Sequence, residues 1–315
     1  MWSVEPIQIL LAVILDLLLG DPRGWPHITR LCGVLAAQYE RLITLRGRRS
    51  VMSGILFWIL VYGTILGLWF VINGFLKKIL PNASWILEIF VIYQTLAAMD
   101  LRRHILAILN PLQKGDLPEA REKLSWIVGR DTDQLDEKEI SRATLESIAE
   151  SANDGFVAPL FWAAVGGVPA ALLFRASNTL DSIVGHRNER YECFGKFSAR
   201  VDDLLCWIPA RLCVLISMIY HGFHTWPSIS KEATAHASPN AGWVEAAAAH
   251  SLDVCLGGEN FYQGEKITGP IFNPQGRPPQ PSDIAAGLRW LWILEGGAVL
   301  ICLGINLLMN NGVFL

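Results

Sequence analysis

Three stretches of this sequence carry no charged side chain over a length that suits a lipid bilayer. They cover residues 51–76, 156–174 and 296–315, which are 26, 19 and 20 residues long. An α-helix rises about 1.5 Å per residue, so about 20 apolar residues cross the hydrocarbon core of a membrane. Because 52% of the residues are hydrophobic and only 17% are charged, a disordered chain is excluded. The pattern predicts an all-α, polytopic helical membrane protein.

Three further apolar stretches raise the predicted number of membrane segments to about five or six. Each is interrupted by charge, and they cover residues 4–19 (Asp16), 83–99 (Glu88) and 204–220 (Arg211). Within 156–174, the sequence Gly166-Gly167-Val168-Pro169 is typical of a broken helix, because glycine and proline weaken helix interiors. A simple span and a re-entrant hairpin are both compatible with this stretch.

The distribution of basic residues predicts which polar segments face the cytoplasm. Residues 20–50 hold six Lys and Arg and residues 100–155 hold eight, an excess that is typical of cytoplasmic loops. We therefore expect one integral membrane domain over 1–315, passing several times through the cell inner membrane. Residues 100–155 would form a cytoplasmic helical insertion and 222–289 a long polar loop. A net charge of −3 provides no basic surface, so no nucleic-acid partner is expected.

Polar residues concentrate at the ends of the predicted membrane segments. Such groups are costly in lipid, so they mark functional sites or paired charges. Five clusters stand out: Gly20-Asp21-Pro22 with His27; Gly129-Arg130-Asp131-Thr132; Glu146, Glu150, Asn153 and Asp154; Arg175, Asn178 and Asp181; and Arg200, Asp202, Asp203 and Arg211. A further polar run, Ser238-Pro239-Asn240, precedes Glu245 and an alanine-rich helix, where a helix cap is the alternative interpretation.

Asp181, Asp202 and Asp203 lie among arginines in the sequence. Mg²⁺ binds oxygen ligands and commonly uses one or two carboxylates together with phosphate oxygens, and arginine offers a fork of donors that matches phosphate. This composition predicts an Mg²⁺–phosphate site with these three carboxylates as metal ligands; ion pairs between helices are the alternative. The sequence contains no Walker A loop, so a nucleotide site in this chain would be non-standard.

Taken in order, these motifs resemble the adenosylcobinamide-phosphate synthase family (CobD/CbiB) of cobalamin biosynthesis. The resemblance covers most of the chain. Its motifs are Leu19-Gly20-Asp21-Pro22 with Pro26-His27, Ile127-Val128-Gly129-Arg130-Asp131-Thr132, Asp154-Gly155 with Ala158-Pro159-Leu160-Phe161, Asn178-Thr179-Leu180-Asp181-Ser182, Ser198-Ala199-Arg200 with Asp202-Asp203, Pro209-Ala210-Arg211-Leu212, Ser238-Pro239-Asn240 and Leu256-Gly257-Gly258.

The resemblance implies an amide-forming ligase that is integral to the membrane. Such an enzyme joins (R)-1-amino-2-propanol phosphate, or ethanolamine phosphate, to the propionate carboxylate of a corrinoid substrate, adenosylcobyric acid. The product is adenosylcobinamide phosphate. The resemblance also implies ATP and Mg²⁺ as cofactors, the lipid bilayer as the environment, and contacts with other membrane enzymes of the cobalamin pathway.

The chemistry that the resemblance implies predicts roles for individual residues. A carboxylate must be activated before an amine attacks it, and the amine must lose a proton to a carboxylate or histidine base. The candidate catalytic residues are Glu150, Asp154 and His27. The candidate substrate-binding residues are Asn178, Arg130, Arg200, Arg211 and Asn240, and the candidate metal ligands are Asp181, Asp202 and Asp203.

Two other functions are compatible with parts of the pattern. Asn178-x-x-Asp181 and Asp202-Asp203 are similar to the Asp-rich motifs of UbiA-like, Mg²⁺-dependent membrane prenyltransferases, but those enzymes carry more membrane spans and a second D-x-x-D motif. A non-enzymatic, AmpE-like membrane sensor would leave the polar clusters at the segment ends without an explanation.

Overall fold

The computed structural model describes residues 4–22, 24–45, 47, 49–186 and 188–311. Over these residues the helices are α1 (Pro6–Leu19), α2 (Ile28–Thr44), α3 (Val51–Ile79), α4 (Pro81–Tyr93), α5 (Ala98–Gln113), α6 (Leu117–Leu124), α7 (Glu137–Ala152), α8 (Ala158–Val184), α9 (Lys196–His221), α10 (Trp226–Ala233), α11 (Ala241–Leu252) and α12 (Pro281–Asn310). The strands are β1 (Leu256–Tyr262) and β2 (Glu265–Phe272). A π-helical turn at Asn153–Val157 joins α7 to α8.

The chain divides into two compact units. The first unit contains Met1–Ala97, Ala158–Cys206 and Val299–Leu315, and the second contains Ala98–Val157 and Trp207–Ala298. The first unit therefore holds α1 to α4 and α8, and the second holds α5 to α7, α10, α11 and both strands. Helices α9 and α12 contribute residues to both units.

Among the described residues, the helical segments long and apolar enough to cross a membrane are Val51–Ile79, Pro81–Gln113, Glu137–Val184 and Pro281–Asn310. The predicted helical membrane class is confirmed, but the predicted number of five or six spans is too high. The stretch 4–19 forms a helix of only 14 residues, roughly 21 Å long. The stretch 204–220 lies in α9, where Asp202, Asp203 and Arg211 lower the hydropathy of the helix.

Helix α8 is broken in the middle of its apolar run. Gly166 and Gly167 have non-helical backbone angles, and φ at Gly167 is +63°, a value that glycine adopts without steric cost. Near the break, the backbone oxygen of Ala164 accepts a 3.0 Å hydrogen bond from the side chain of Asn306 in α12. Asn306 is fully buried and also donates to the backbone oxygen of Val4 at 3.3 Å. The helix is thus interrupted at the glycine pair, where the sequence left a simple span and a re-entrant hairpin open, and a side chain of the first unit donates to a carbonyl near the break.

The polar segment 100–155 of the second unit is helical, as predicted. It contains α6, α7 and most of α5. Helix α7 begins with a capping box, in which the Asp136 side chain accepts from the backbone N–H of Glu139 and the Glu139 side chain accepts from the backbone N–H of Asp136, both at 2.8 Å. These reciprocal bonds satisfy groups that the first helical turn leaves open. The cytoplasmic location of this segment stays a prediction.

The segment 222–289, which the sequence predicts as a long polar loop, is instead largely ordered secondary structure. It holds α10, α11, the start of α12 and an antiparallel hairpin of β1 and β2. The hairpin turns at Gln263 and Gly264, whose φ angles of +53° and +80° match the turn type that suits the twist of paired strands. This hairpin is an addition to the predicted all-α fold.

Close packing in the first unit brings α3 against the residues that precede α9. A methyl group on Gly54 would lie 2.0 Å from the backbone oxygen of Phe194. The ring of Phe194 also packs on that of Phe57, with 4.9 Å between the ring centroids. Gly67, on the same helix, has no atom within 4 Å of the place where its Cβ would be.

The substitution Gly54→Ala should therefore lower the melting temperature of the detergent-purified protein by several degrees, because overpacking a core contact costs about 1–3 kcal/mol. Gly67→Ala is the matched control. It should leave the melting temperature unchanged or slightly raised, since alanine favours a helix by roughly 0.5–1 kcal/mol. Equal melting temperatures for the two variants would contradict the packing at Gly54.

Candidate active site

A buried carboxylate on α7 organises the polar residues of the second unit. Glu146 is only 5% exposed, and its carboxylate lies 2.6 Å from Arg130 Nη2 and 3.4 Å from Arg142 Nη1. It also accepts a 2.8 Å hydrogen bond from the backbone N–H of Gly257. A buried carboxylate requires such partners, because an unpaired charge removed from water costs several kcal/mol. We call Arg130, Arg142, Glu146 and Asn260 the Glu146 cluster.

Asn260 on β1 holds the two arginines of the Glu146 cluster side by side. Its side-chain oxygen accepts from Arg130 Nη1 at 2.7 Å and from Arg142 Nη2 at 3.1 Å. Arg142 also donates to the backbone oxygens of Gly257 and Glu259, at 2.5 and 2.8 Å. Arg130 donates one hydrogen bond to Asn260 and forms an ion pair with Glu146, so its other N–H donors suit a carboxylate or phosphate.

Asp131, the neighbour of Arg130, binds the turn of the β1–β2 hairpin beside the Glu146 cluster. Its carboxylate accepts from the backbone N–H groups of Gln263 and Gly264, at 3.0 and 2.8 Å. Its own backbone N–H donates to the oxygen of Phe261 at 2.8 Å. The Gly-Arg-Asp-Thr motif therefore has a physical explanation: its aspartate holds the hairpin, and its arginine pairs with Glu146.

Glu245 on α11 adds another carboxylate to this part of the second unit. Its side chain is 13% exposed. Burial, together with the negative charges of Glu146 and Glu150, raises the pKa of Glu245 well above its ordinary value, and the positive charge of Arg130 opposes this increase only in part. His236 Nε2 lies 3.9 Å from the Glu245 carboxyl. A carboxyl with a raised pKa suits proton transfer near neutral pH.

The structure brings two of the predicted substrate-binding residues, Arg211 and Asn240, into direct contact. Arg211 Nη1 donates to the Asn240 side-chain oxygen at 2.6 Å, and Arg211 Nη2 donates to the Pro239 backbone oxygen at 3.0 Å. The guanidinium carbon lies 4.8 Å from the ring centroids of both Trp207 and Trp243. Arg211 thus positions the Ser-Pro-Asn segment, while its use as an anion clamp stays a prediction.

Glu150 and Asp154, the predicted bases of the second unit, lie beyond Glu146 along the chain. Glu150 is exposed on α7, one turn after Glu146. Asp154 is half-buried in the π-helical turn and accepts a 2.8 Å hydrogen bond from the Asn153 side chain. Such turns are frequent at functional sites, so Asp154 remains a candidate base.

His27, the third predicted base, lies in the first unit and caps α2. Its Nδ1 is 2.7 Å from the Thr29 hydroxyl and accepts from the Thr29 backbone N–H at 3.3 Å. Its Nε2 lies 4.0 Å from the Asp21 carboxylate. Because the cap uses Nδ1, a proton-transfer function of His27 would have to use Nε2.

Asn178 and Asp181 occupy the last part of α8 in the first unit. The Asn178 side-chain oxygen lies 3.5 Å from Arg175 Nη1, and Arg175 is buried and donates to the backbone oxygen of Thr95. Asp181 packs tightly against Gly185, where a Cβ would lie 1.9 Å from its carboxylate. This contact explains why a glycine follows the aspartate by one helical turn.

Arg200, Asp202 and Asp203 lie in the early turns of α9, also in the first unit. Asp202 is 8% exposed and within 3.8 Å of Cys206 Sγ, whereas Asp203 is half-buried and Arg200 is exposed. In the described part of the chain, the carboxylates of Asp181, Asp202 and Asp203 do not all approach within 4.8 Å of one another. The three therefore do not form a closed metal cage, although carboxylates paired with phosphate oxygens would suit Mg²⁺.

The Arg211 contacts predict the effect of a charge-conserving substitution. Arg211→Lys should lower the melting temperature by several degrees, because a lysine cannot make the two parallel hydrogen bonds or stack as a plane between two indole rings. Arg200→Lys, which changes an exposed arginine on the same helix, should leave the melting temperature unchanged. If both lysine variants melt like the unmodified protein, Arg211 does not position the Ser-Pro-Asn segment.

Arg142, Glu146, Glu245 and Asn260 are absent from the site residues that the sequence predicts. The spacing of Arg142 and Glu146 on one helix face was a usable signal, because residues four apart are neighbours. Asn260 and Glu245 gave no such signal, since their partners are distant in sequence. Only the folded chain brings them together.

The chain is similar to known proteins over most of its length. The model of the family described as CobD/Cbib protein matches residues 9–291. The cobalamin biosynthesis protein CobD of Citrobacter koseri is 36% identical over 308 residues, covering 95% of this chain and 97% of the relative. The cobalamin biosynthesis protein CbiB of Salmonella typhimurium is 37% identical over 292 residues, covering 90% and 92%. No solved structure matches the chain. The chain therefore belongs to the CobD/CbiB family.

Proposed function

We propose that this protein is an amide-forming ligase of cobalamin biosynthesis. It joins the amine of (R)-1-amino-2-propanol phosphate, or of ethanolamine phosphate, to the propionate carboxylate of adenosylcobyric acid, and it produces adenosylcobinamide phosphate. The observation that carries the proposal is the family match over residues 9–291, since the matched region contains every predicted site residue. Candidate membrane spans support an enzyme of the membrane, and the inner membrane is the proposed location.

The proposed reaction requires activation of the carboxylate by ATP. A carboxylate oxygen attacks the γ-phosphorus, ADP leaves, and an acyl phosphate forms. The amine nitrogen then attacks the carbonyl carbon, inorganic phosphate leaves, and the nitrogen gives up one proton to a base. Each step develops negative charge on oxygen, which positively charged side chains and Mg²⁺ stabilise.

The Glu146 cluster supplies the positive charge for this chemistry in the second unit. Glu146 and Asn260 fix the Arg130 guanidinium at 2.6 and 2.7 Å, so little side-chain entropy is lost when an anion binds its remaining donors. We assign Arg130 to the binding of a substrate carboxylate or phosphate. Asn240, which is 4% exposed and held by Arg211, is assigned to a substrate amide.

Glu245 is a further candidate general base in the second unit. The substrate ammonium group must lose a proton before it can attack, and the ideal base has a pKa close to the working pH. Burial and the charges of Glu146 and Glu150 raise the pKa of Glu245 in that direction. We add Glu245 to Glu150, Asp154 and His27 as a candidate catalytic residue.

Carboxylates of α8 and α9 are the residues that would hold a Mg²⁺ ion in the proposed reaction. Asp202 and Asp203 would contribute carboxylate oxygens to it, and Asp181 would act as a further ligand or as an organiser of Asn178 and Arg200. The ion would neutralise the phosphate charge during phosphoryl transfer. Asp202 is buried and Asp203 is half-buried, so two carboxylates of α9 would leave further coordination positions to phosphate oxygens.

A direct assay tests the proposed function. The full chain, reconstituted in lipid nanodiscs, should convert adenosylcobyric acid and aminopropanol phosphate into adenosylcobinamide phosphate when Mg²⁺ and ATP are present, as detected by mass spectrometry. Omission of ATP or addition of EDTA should abolish the product. Folded protein that leaves both substrates unchanged would contradict the ligase, and product formed without ATP would contradict the activation step.

The raised pKa of Glu245 predicts that a substitution at this position should lower activity without lowering stability at neutral pH. Glu245→Gln should lower kcat by about a hundredfold or more and remove the acid limb of the pH–rate profile. It should not lower stability at neutral pH. Folded Glu245 retains a proton that the unfolded chain releases above about pH 4.3, so this group reduces stability as the pH rises toward its folded pKa.

Glu265→Gln on the exposed hairpin is the matched control, and it should retain both the activity and the pH profile of the unmodified protein. A Glu245→Gln variant that keeps the acid limb, or that unfolds at neutral pH, would remove Glu245 from the proposed mechanism.

A further inference from the structure

A cleft of about 620 Å³ lies in the second unit, apart from the Glu146 cluster. It is bordered by the end of α9, the end of α11 and the first turns of α12. The residues that matter for its chemistry are His221, Ser251, Arg277, Ser282, Arg289 and Trp292. Its volume is within the range of small-molecule sites, roughly 300–1,000 Å³.

The charges that line the cleft leave a positive excess. Arg277 binds the Asp283 carboxylate through two hydrogen bonds of 2.6 Å, and the backbone N–H of Gln280 donates to the same carboxylate at 2.8 Å. The negative charge of Asp283 is thereby compensated, and Arg277 keeps three of its five donors. Arg289 is exposed and has no ion-pair partner among the residues that the structure describes.

The cleft lies at the polar end of a helix that is apolar enough to span a membrane. Helix α12 begins at Pro281, and Arg289 is followed within one turn by Trp290 and Trp292. Trp290 is buried and donates to the Ser217 hydroxyl at 3.1 Å, whereas Trp292 is 50% exposed. Tryptophan is enriched where membrane-spanning helices meet the headgroup region.

We propose that this cleft binds a phosphate ester. The guanidinium fork of Arg289 matches phosphate oxygens, and the donors of Arg277 that Asp283 leaves unused and the Ser251 and Ser282 hydroxyls lie in the same lining. The Trp292 ring carries the Arg102 guanidinium 3.7 Å from its centroid and is still 50% exposed, so its exposed part would cover the apolar body of the ligand. The headgroup of an anionic phospholipid and a soluble phosphate ester share this chemistry. None of the cleft residues belongs to the proposed catalytic or substrate-binding set.

Two binding measurements on the full chain in detergent test the proposal. Native mass spectrometry compares retention of phosphatidylglycerol with retention of phosphatidylcholine, and calorimetry measures binding of inorganic phosphate. We expect at least one anionic probe to bind, and Arg289→Gln to weaken that binding by at least about tenfold, which corresponds to one lost charge-assisted hydrogen bond. Arg103→Gln is the matched control, since it removes an exposed arginine outside the cleft.

The outcomes distinguish the two sources of phosphate. Selective retention of phosphatidylglycerol that is lost in Arg289→Gln identifies a lipid headgroup. Binding of inorganic phosphate that is lost in the same variant identifies a soluble phosphate ester. Equal retention of both lipids together with no phosphate binding would overturn the proposal, as would binding that Arg289→Gln leaves intact. Arg289 is exposed, so its substitution is not expected to prevent folding.

Discussion

Glu146 places a negative charge in the interior of the second unit, and such a charge is stable only if the surrounding chain neutralises it. Three separate segments meet this requirement. The loop before α7 supplies Arg130, α7 itself supplies Arg142, and the start of β1 supplies the backbone N–H of Gly257. One buried carboxylate thus makes contacts with α7, with the loop before it and with the first strand of the hairpin.

The same carboxylate sets the electrostatics of its neighbour on α11. Glu146 and Glu150 disfavour ionisation of Glu245, and the charge of Arg130 offsets only part of that effect. An anionic ligand bound at Arg130 would weaken the offset and favour the proton on Glu245. Anion binding at Arg130 and protonation of Glu245 are therefore coupled through these two side chains.

Apolar length and glycine–proline content allowed much of the membrane-helical fold to be predicted from the sequence. The runs 51–76 and 156–174 lie within candidate spans, and the break at Gly166 and Gly167 follows from their local chemistry. The run 204–220 is not a candidate span, because the charges that precede and interrupt it lower the hydropathy of the whole helix. The hairpin is hard to predict, since its local signal is the turn at Gln263-Gly264, between strands that are short and largely exposed.

The candidate site was less accessible to sequence reasoning. The residue types and their order along the chain predict Arg130 as a site residue. They also show that the polar clusters lie at the ends of the predicted membrane segments. The partners of Arg130, namely Glu146 and Asn260, lie 16 and 130 residues away, and no periodicity links such positions. The contact between Arg211 and Asn240 bridges 29 residues for the same reason. Tertiary folding, rather than local pattern, decides which polar groups meet.

The break in α8 has a consequence for the order in which the protein is made. The backbone oxygen of Ala164 receives its donor from Asn306, which lies 142 residues later in the chain. During synthesis, α8 is made long before α12 exists, so this hydrogen bond can form only after α12 has been made. Through Asn306, residues early, midway and late in the chain (Val4, Ala164 and α12) are thus joined only after synthesis has passed α12.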